Sequence, residues 1–193
     1  MEIEECVKCF PIETLAKCIK LRALEIKDAK EISVTREGLQ ALKELRHLCV
    51  HNCLTMRCLL EGMFRHLTSL NVLLILECPE VVELPEDIKH LHNLDRLRLK
   101  GLPKMTRLPQ VFKHLTLLDL KNLPELESLP HQLPSLNRLT VIDCLKVVSI
   151  PDLPKLKELK VSGCPQLERR CQRGSGEDWH KIAHVRRISF PLI

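Results

Sequence analysis

Apolar residues recur along most of the chain in one fixed order. In LDRLRLKGLPKMTRLP they stand at Leu94, Leu97, Leu99, Leu102, Met105 and Leu108, and Pro109 closes the phrase. The pattern L-x-x-L-x-L-x-x-(C/L)-x-x-L-x-x-L-P also aligns Leu21, Leu24, Ile26, Ala29, Ile32; Leu45, Leu48, Val50, Cys53, Met56; and Leu70, Leu73, Ile75, Cys78, Val81, Leu84. Beyond the quoted copy it aligns Leu115, Leu118, Leu120, Leu123, Leu126, Leu129; Leu136, Leu139, Val141, Cys144, Val147, Ile150; and Leu156, Leu159, Val161, Cys164, Leu167. Strict alternation across x-L-x-L-x predicts a short strand whose aliphatic side chains point inward and whose x residues point outward. The Cys or Leu three positions later turns the chain inward again, and the Leu-Pro pair leaves no room for a continuing helix before the next copy.

The first leucines of the seven copies stand at 21, 45, 70, 94, 115, 136 and 156, so the spacings are 24, 25, 24, 21, 21 and 20 residues. This lies inside the range of roughly 20 to 29 that marks a leucine-rich repeat. One coil cannot bury its apolar stripe alone; stacked coils enclose a shared core in which each aliphatic side chain contributes roughly 1.5 to 3 kcal/mol. The fold class expected is therefore α/β: a leucine-rich-repeat solenoid, or horseshoe, with a concave parallel sheet and a mostly irregular or short-helical convex side. Residues 21–167 hold the seven repeats. Residues 1–20 form a partial repeat or N-terminal edge, with half a copy in Cys9, Ile12 and Leu15, and 168–193 form a capping tail.

Composition fits an aliphatic core. Tyr is absent, and Phe10, Phe64, Phe112, Trp179 and Phe190 are the only aromatic residues. The formal charge of +5 comes from 30 basic and 25 acidic residues spread along the chain, without a Lys/Arg block, so no nucleic-acid partner is expected. The start MEIEECVKCF is acidic where a secretion signal would be basic, and the longest obvious apolar run, Val72 to Leu76, cannot span a bilayer. Ten cysteines in such a chain point to a reducing compartment and to thiols without disulfides. The expected location is cytoplasmic, with no membrane partner.

With Cys at the ninth position and Leu-Pro at the close, the repeat resembles those at the C-terminal end of plant intracellular nucleotide-binding leucine-rich-repeat immune receptors. The end of the chain, GCPQLERRCQRGSGEDWHKIAHVRRISF, is similar to the closing segment of their coiled-coil branch at Cys164, Pro165, Leu167, Cys171, Gly174, Gly176, Asp178, Trp179, Ile182 and His184. Arg186 departs from that pattern, since family members often carry a proline shortly after the His-hydrophobic pair. The resemblance implies a recognition and autoregulatory module of a disease resistance protein, whose partner is a pathogen effector or the receptor's own nucleotide-binding module. No G-x-x-x-x-G-K-[ST] occurs, so nucleotide binding is not expected in this chain, nor is any other cofactor. From the residues alone, the tail reads first as a cap over the last coil, with Trp179 and Ile182 covering Leu159 and Val161, and second as a partner contact.

Other chemistry is weighed against the ladder. Cys6-x-x-Cys9 has metal-ligand spacing, and His47, Cys49, His51 and Cys53 crowd one segment, so a zinc or thiol hydrolase is the remote alternative. Cys53, however, belongs to the repeat, and nothing marks an oxyanion hole. Glu80 with Glu83 and Glu125 with Glu127 fall in turns, where solvated charge explains them. The chain is read as non-catalytic, and a free-standing intracellular signalling scaffold is the nearer alternative.

Function is therefore sought on the outward strand positions, which stack into the concave face. Val72, Leu74 and Leu76 place three aliphatic groups there, and an exposed apolar cluster marks an interface. Beside them Arg96, Arg98 and Lys100 form a basic band, extended by Lys121, Arg138 and Lys160. An apolar anchor beside a basic band suits an acidic protein partner.

Overall fold

The computed structural model describes residues 21–30, 42–57 and 62–190. Cys6, Cys9 and the half repeat in 1–20 lie outside these residues. Seven five-residue strands follow the seven phrases: β1 (Ala23–Lys27), β2 (His47–His51), β3 (Val72–Leu76), β4 (Arg96–Lys100), β5 (Leu117–Lys121), β6 (Arg138–Ile142) and β7 (Glu158–Ser162). They form one parallel sheet in chain order, joined at its end by β8 (Arg187–Ser189). Leu48 stands opposite Leu73, Leu73 opposite Leu97, Leu97 opposite Leu118 and so on along the sheet, so each inward row is a continuous aliphatic column. The inward residues of β2 to β7 are buried throughout.

The residue after each strand shows why the coil turns where it does. Asp28, Asn52, Glu77, Gly101, Asn122, Asp143 and Gly163 all adopt positive φ, between 52° and 66°. Glycine enters this region freely, and Asn and Asp enter it more readily than other residues. In this conformation the Asn52 N–H donates to the Leu76 carbonyl at 2.9 Å and the Glu77 N–H to the Lys100 carbonyl at 2.7 Å, which carries the ladder past the strand end. Two residues after each of β2, β3, β6 and β7 a buried thiol turns inward: Cys53, Cys78, Cys144 and Cys164 each donate to the carbonyl of the last strand residue, at 3.3 to 3.5 Å.

Returns between strands follow repeat length. The 24- and 25-residue coils carry 3-10 turns at Leu42–Glu44, Phe64–His66 and Glu86–His90, which bury Leu42, Phe64 and Ile88. Coils of 21, 21 and 20 residues have no helical turn in their returns and run extended, with a bridge from Val111 to Gln132.

Beyond β7 the chain forms α1 (Pro165–Arg170) and α2 (Trp179–Ile182) before β8. Proline at the first position of α1 has no N–H to leave unpaired. β8 pairs with β7 through Leu159 opposite Ile188, and Ile182 is fully buried. Trp179, Ile188 and Phe190 pack against the core edge.

Asp178, 1% exposed, ties this tail to the array: it accepts from the Ile150 N–H (3.3 Å), from Arg170 Nε (3.1 Å) and from Lys181 Nζ (2.9 Å). Burial alone would push its carboxyl up, but the hydrogen bonds from Arg170, Lys181 and Ile150 overbalance burial and hold it below its ordinary value. Gly176 approaches so close to the Arg170 carbonyl that a Cβ there would collide with it.

Candidate outward interface

The sheet register brings the outward residues into three rows. The first runs Ala23, His47, Val72, Arg96, Leu117, Arg138 and Glu158; the second Glu25, Cys49, Leu74, Arg98, Asp119, Thr140 and Lys160; the third Lys27, His51, Leu76, Lys100, Lys121, Ile142 and Ser162. Val72, Leu74 and Leu76 are adjacent on β3 and half-buried, with Arg96, Arg98 and Lys100 directly beside them on β4 and exposed. The apolar triplet and the first half of the basic band therefore form one continuous patch. Leu117 on β5 and Ile142 on β6 add two half-buried aliphatic groups beyond β4.

The band is neutralised from within. Arg98 Nε lies 2.8 Å and Lys121 Nζ 3.3 Å from the Asp119 carboxylate, which sits between them at 7% side-chain exposure. Lys100 meets Glu77 at 3.0 Å, Arg96 meets Asp95 at 3.3 Å and Arg138 meets Glu158 at 2.6 Å. Glu158 also meets Arg187 of β8. Of the cations in the band, Lys160 alone has no ion pair among the described residues. The free basic strip that composition suggests is thus a lattice of paired charges. Two of the acids, Glu77 and Asp95, flank the strands: Glu77 reaches Lys100 of the next coil, whereas Asp95 meets its own chain neighbour Arg96.

Asp119 is the tightest point of that lattice. Its Oδ2 takes both cations, while its Oδ1 is buried without a hydrogen-bond partner. A buried acceptor left unpaired costs roughly 1 to 3 kcal/mol. A donor that reached Oδ1 would recover that cost.

His47, Cys49 and His51 fall on consecutive outward positions of β2, as their alternation requires. Burial, with Glu25 and Cys53 nearby, pushes the Cys49 thiol up to about 11, so it stands as a neutral thiol at neutral pH. Among the described residues no three His, Cys, Asp or Glu side chains are grouped to hold a metal ion, and no helix is long and apolar enough to cross a membrane. Glu80 and Glu125, read as solvated, form inter-coil ion pairs with Lys104 (2.6 Å) and Lys146 (2.5 Å) on the flank after the strands.

Known proteins resemble the chain in two ways. Its fold matches the leucine-rich-repeat domain of the type III effector XopL, with a TM-score of 0.63 and 21% identity over 94% of this chain and 72% of that one. In sequence, 27 residues are 67% identical to the disease resistance protein RGA4 of Solanum bulbocastanum, and 22 residues are 68% identical to RGA1 of the same organism. Those segments make up 14% and 11% of this chain and only 3% and 2% of the relatives. No family model matches the chain. The fold match shows a leucine-rich-repeat fold, and the two short sequence matches are local likenesses to plant disease resistance proteins, of whose length the matched segments span only a few per cent.

Proposed function

We infer that this chain is the recognition and autoregulatory end of an intracellular plant immune receptor, a non-catalytic surface that binds protein. The observation that carries the reading is the patch on β3 and β4. Three half-buried aliphatic side chains lie in register beside three exposed cations, on a face whose opposite side is wholly committed to the core. Burying Val72, Leu74 and Leu76 supplies the holding energy. The paired cations supply selectivity, because an incoming acid must compete with Asp119, Glu77 and Asp95 for Arg98, Lys100 and Arg96. Such a partner gains less from long-range steering than it would from a bare basic strip, and more from fit at contact. The occupants that fit are the receptor's own nucleotide-binding module in the resting state, or an acidic surface of a pathogen protein.

The test is a pull-down of this chain with a separately expressed nucleotide-binding module from the same locus. Wild-type capture is expected, with at least tenfold weaker capture by Leu74→Asp and by Arg98→Glu, and unchanged capture by Lys104→Glu on the flank. No capture by the wild type overturns the autoregulatory reading and favours a free-standing scaffold.

A further inference from the structure

A second concentration of basic side chains lies away from the sheet, where the coil length changes. The return from β3 to β4 belongs to a 24-residue coil and keeps its 3-10 turn at Glu86–His90; the next return belongs to a 21-residue coil and has none. Three residues fewer in the second return leave a step, and a cavity of about 380 Å³ opens along it. Its floor includes Ile88, Leu91 and Phe112, all buried. Its rim carries Lys89, His90, His92, Lys113 and His114, all exposed.

The charge pattern here is the reverse of that on the sheet. No acidic side chain lines the cavity, and none of the five basic groups has an ion pair among the described residues. Glu83 and Glu86 line the neighbouring cleft with Arg107, a cleft that Lys89 also borders, and Asp87 is buried, accepting from the Arg65 N–H at 3.4 Å. Elsewhere in the array stacking brings opposite charges together, as Lys104 meets Glu80 and Lys146 meets Glu125. Here it gathers two lysines and three imidazoles around a concave apolar floor with no acid in the lining, and the two ammonium groups make the local potential positive.

We propose that this cavity binds a small organic phosphate, with the phosphate held by the Lys89, His90, His92, Lys113 and His114 rim and the apolar body resting on Ile88, Leu91 and Phe112. Lys offers only donors, and imidazole offers one or two. Five such groups suit an anion with several oxygens better than a lone carboxylate. The volume falls within the roughly 300 to 1,000 Å³ of small-molecule sites. The site is on a different side of the coils from the protein-binding patch and stands independently of that assignment.

The probe is inorganic pyrophosphate, titrated into the 193-residue chain at constant ionic strength with the imidazole protons followed by NMR. The signals of His90, His92 and His114 should shift together and saturate while those of His47 and His51 stay in place. Lys89→Gln with Lys113→Gln should weaken binding at least tenfold, whereas Lys104→Gln with Lys146→Gln should change it less than twofold. All four lysines are exposed, so their loss leaves the core intact. Shifts that do not saturate, histidine signals of the rim that do not move, or equal weakening by both pairs of substitutions would overturn the site.

Discussion

The first three coils and the later three share one strand and differ in how they return to the next. In the long coils the return buries a 3-10 turn; in the short ones an extended run is held by the Val111–Gln132 bridge and by hydrogen bonds such as the Phe112 N–H to the Gln132 carbonyl at 3.0 Å. The strand face is indifferent to this change, since β3, β4 and β5 keep one register across it. Three residues can therefore be lost from a return without disturbing the outward face. What they alter is the opposite side of the coil, where the step between a long and a short return opens the cavity. A repeat array can vary the two sides independently, because the sheet is fixed by the inward column alone.

The comparison breaks most severely at β4, on the junction. Leu97 is fully buried between Leu73 and Leu118, so Leu97→Asp places an unpaired charge in the core that joins both halves. Both halves should lose protection together, with a destabilisation above about 4 kcal/mol. Circular dichroism and protease digestion check this, and a native-like variant would refute the register.

The next largest effect separates the halves. Asp178→Ala removes the shared partner of Arg170, Lys181 and the Ile150 N–H, and breaking a buried pair this way costs about 3 kcal/mol. The loss should fall on the short-coil end. In hydrogen exchange, amides of β7 and β8 should exchange faster while those of β2 and β3 keep their rates; uniform acceleration would mean that the array opens as one unit.

Acid should reproduce that asymmetry. The Asp178 carboxyl is held below its ordinary value in the folded chain, so its contribution is complete above the unfolded carboxyl range. It is lost as pH falls through the lowered folded value. Exchange at β7 and β8 should rise first on acidification, and Asp178→Asn should abolish that early step. An unchanged acid profile in the variant would assign the step to another carboxylate.

These differences were not equally legible in the sequence. The seven strands, their inward columns and the outward triplets follow from alternation and period, which depend only on local geometry. β8 is hidden because Arg187-Ile188-Ser189 is three residues long and lies outside the repeat phrase. Most of the pairing of the basic band needs the register between coils, which sets Arg98 against Asp119, Arg138 against Glu158 and Lys100 against Glu77; Asp95 meets its chain neighbour Arg96. The cavity depends on the difference between two return lengths, and the spacings of 24 and 21 carried that signal without saying which side chains it would gather.

The smallest effect concerns the turn that both kinds of coil share. Among the seven residues after the strands, Glu77 is the only one that is neither Gly, Asn nor Asp, yet it holds φ at 52°. Left-handed backbone costs an ordinary residue about 1 to 2 kcal/mol, and the exposed pair with Lys100 returns about 0.5 kcal/mol. Glu77→Gly should therefore raise stability by about 1 kcal/mol, an increase in Tm of about 2 to 4 °C for a chain of this size. The neighbouring coil supplies the control. The Glu77 carboxylate lies where a Cβ on Gly101 would fall, and Gly101 itself has φ of 66°. Gly101→Ala should cost the backbone strain in both backgrounds and, in the wild type, also the Glu77–Lys100 pair as the Glu77 carboxylate is pushed aside. A double-mutant cycle measured by thermal melting should show that coupling, and additive effects would mean that the Glu77 side chain does not rest over Gly101.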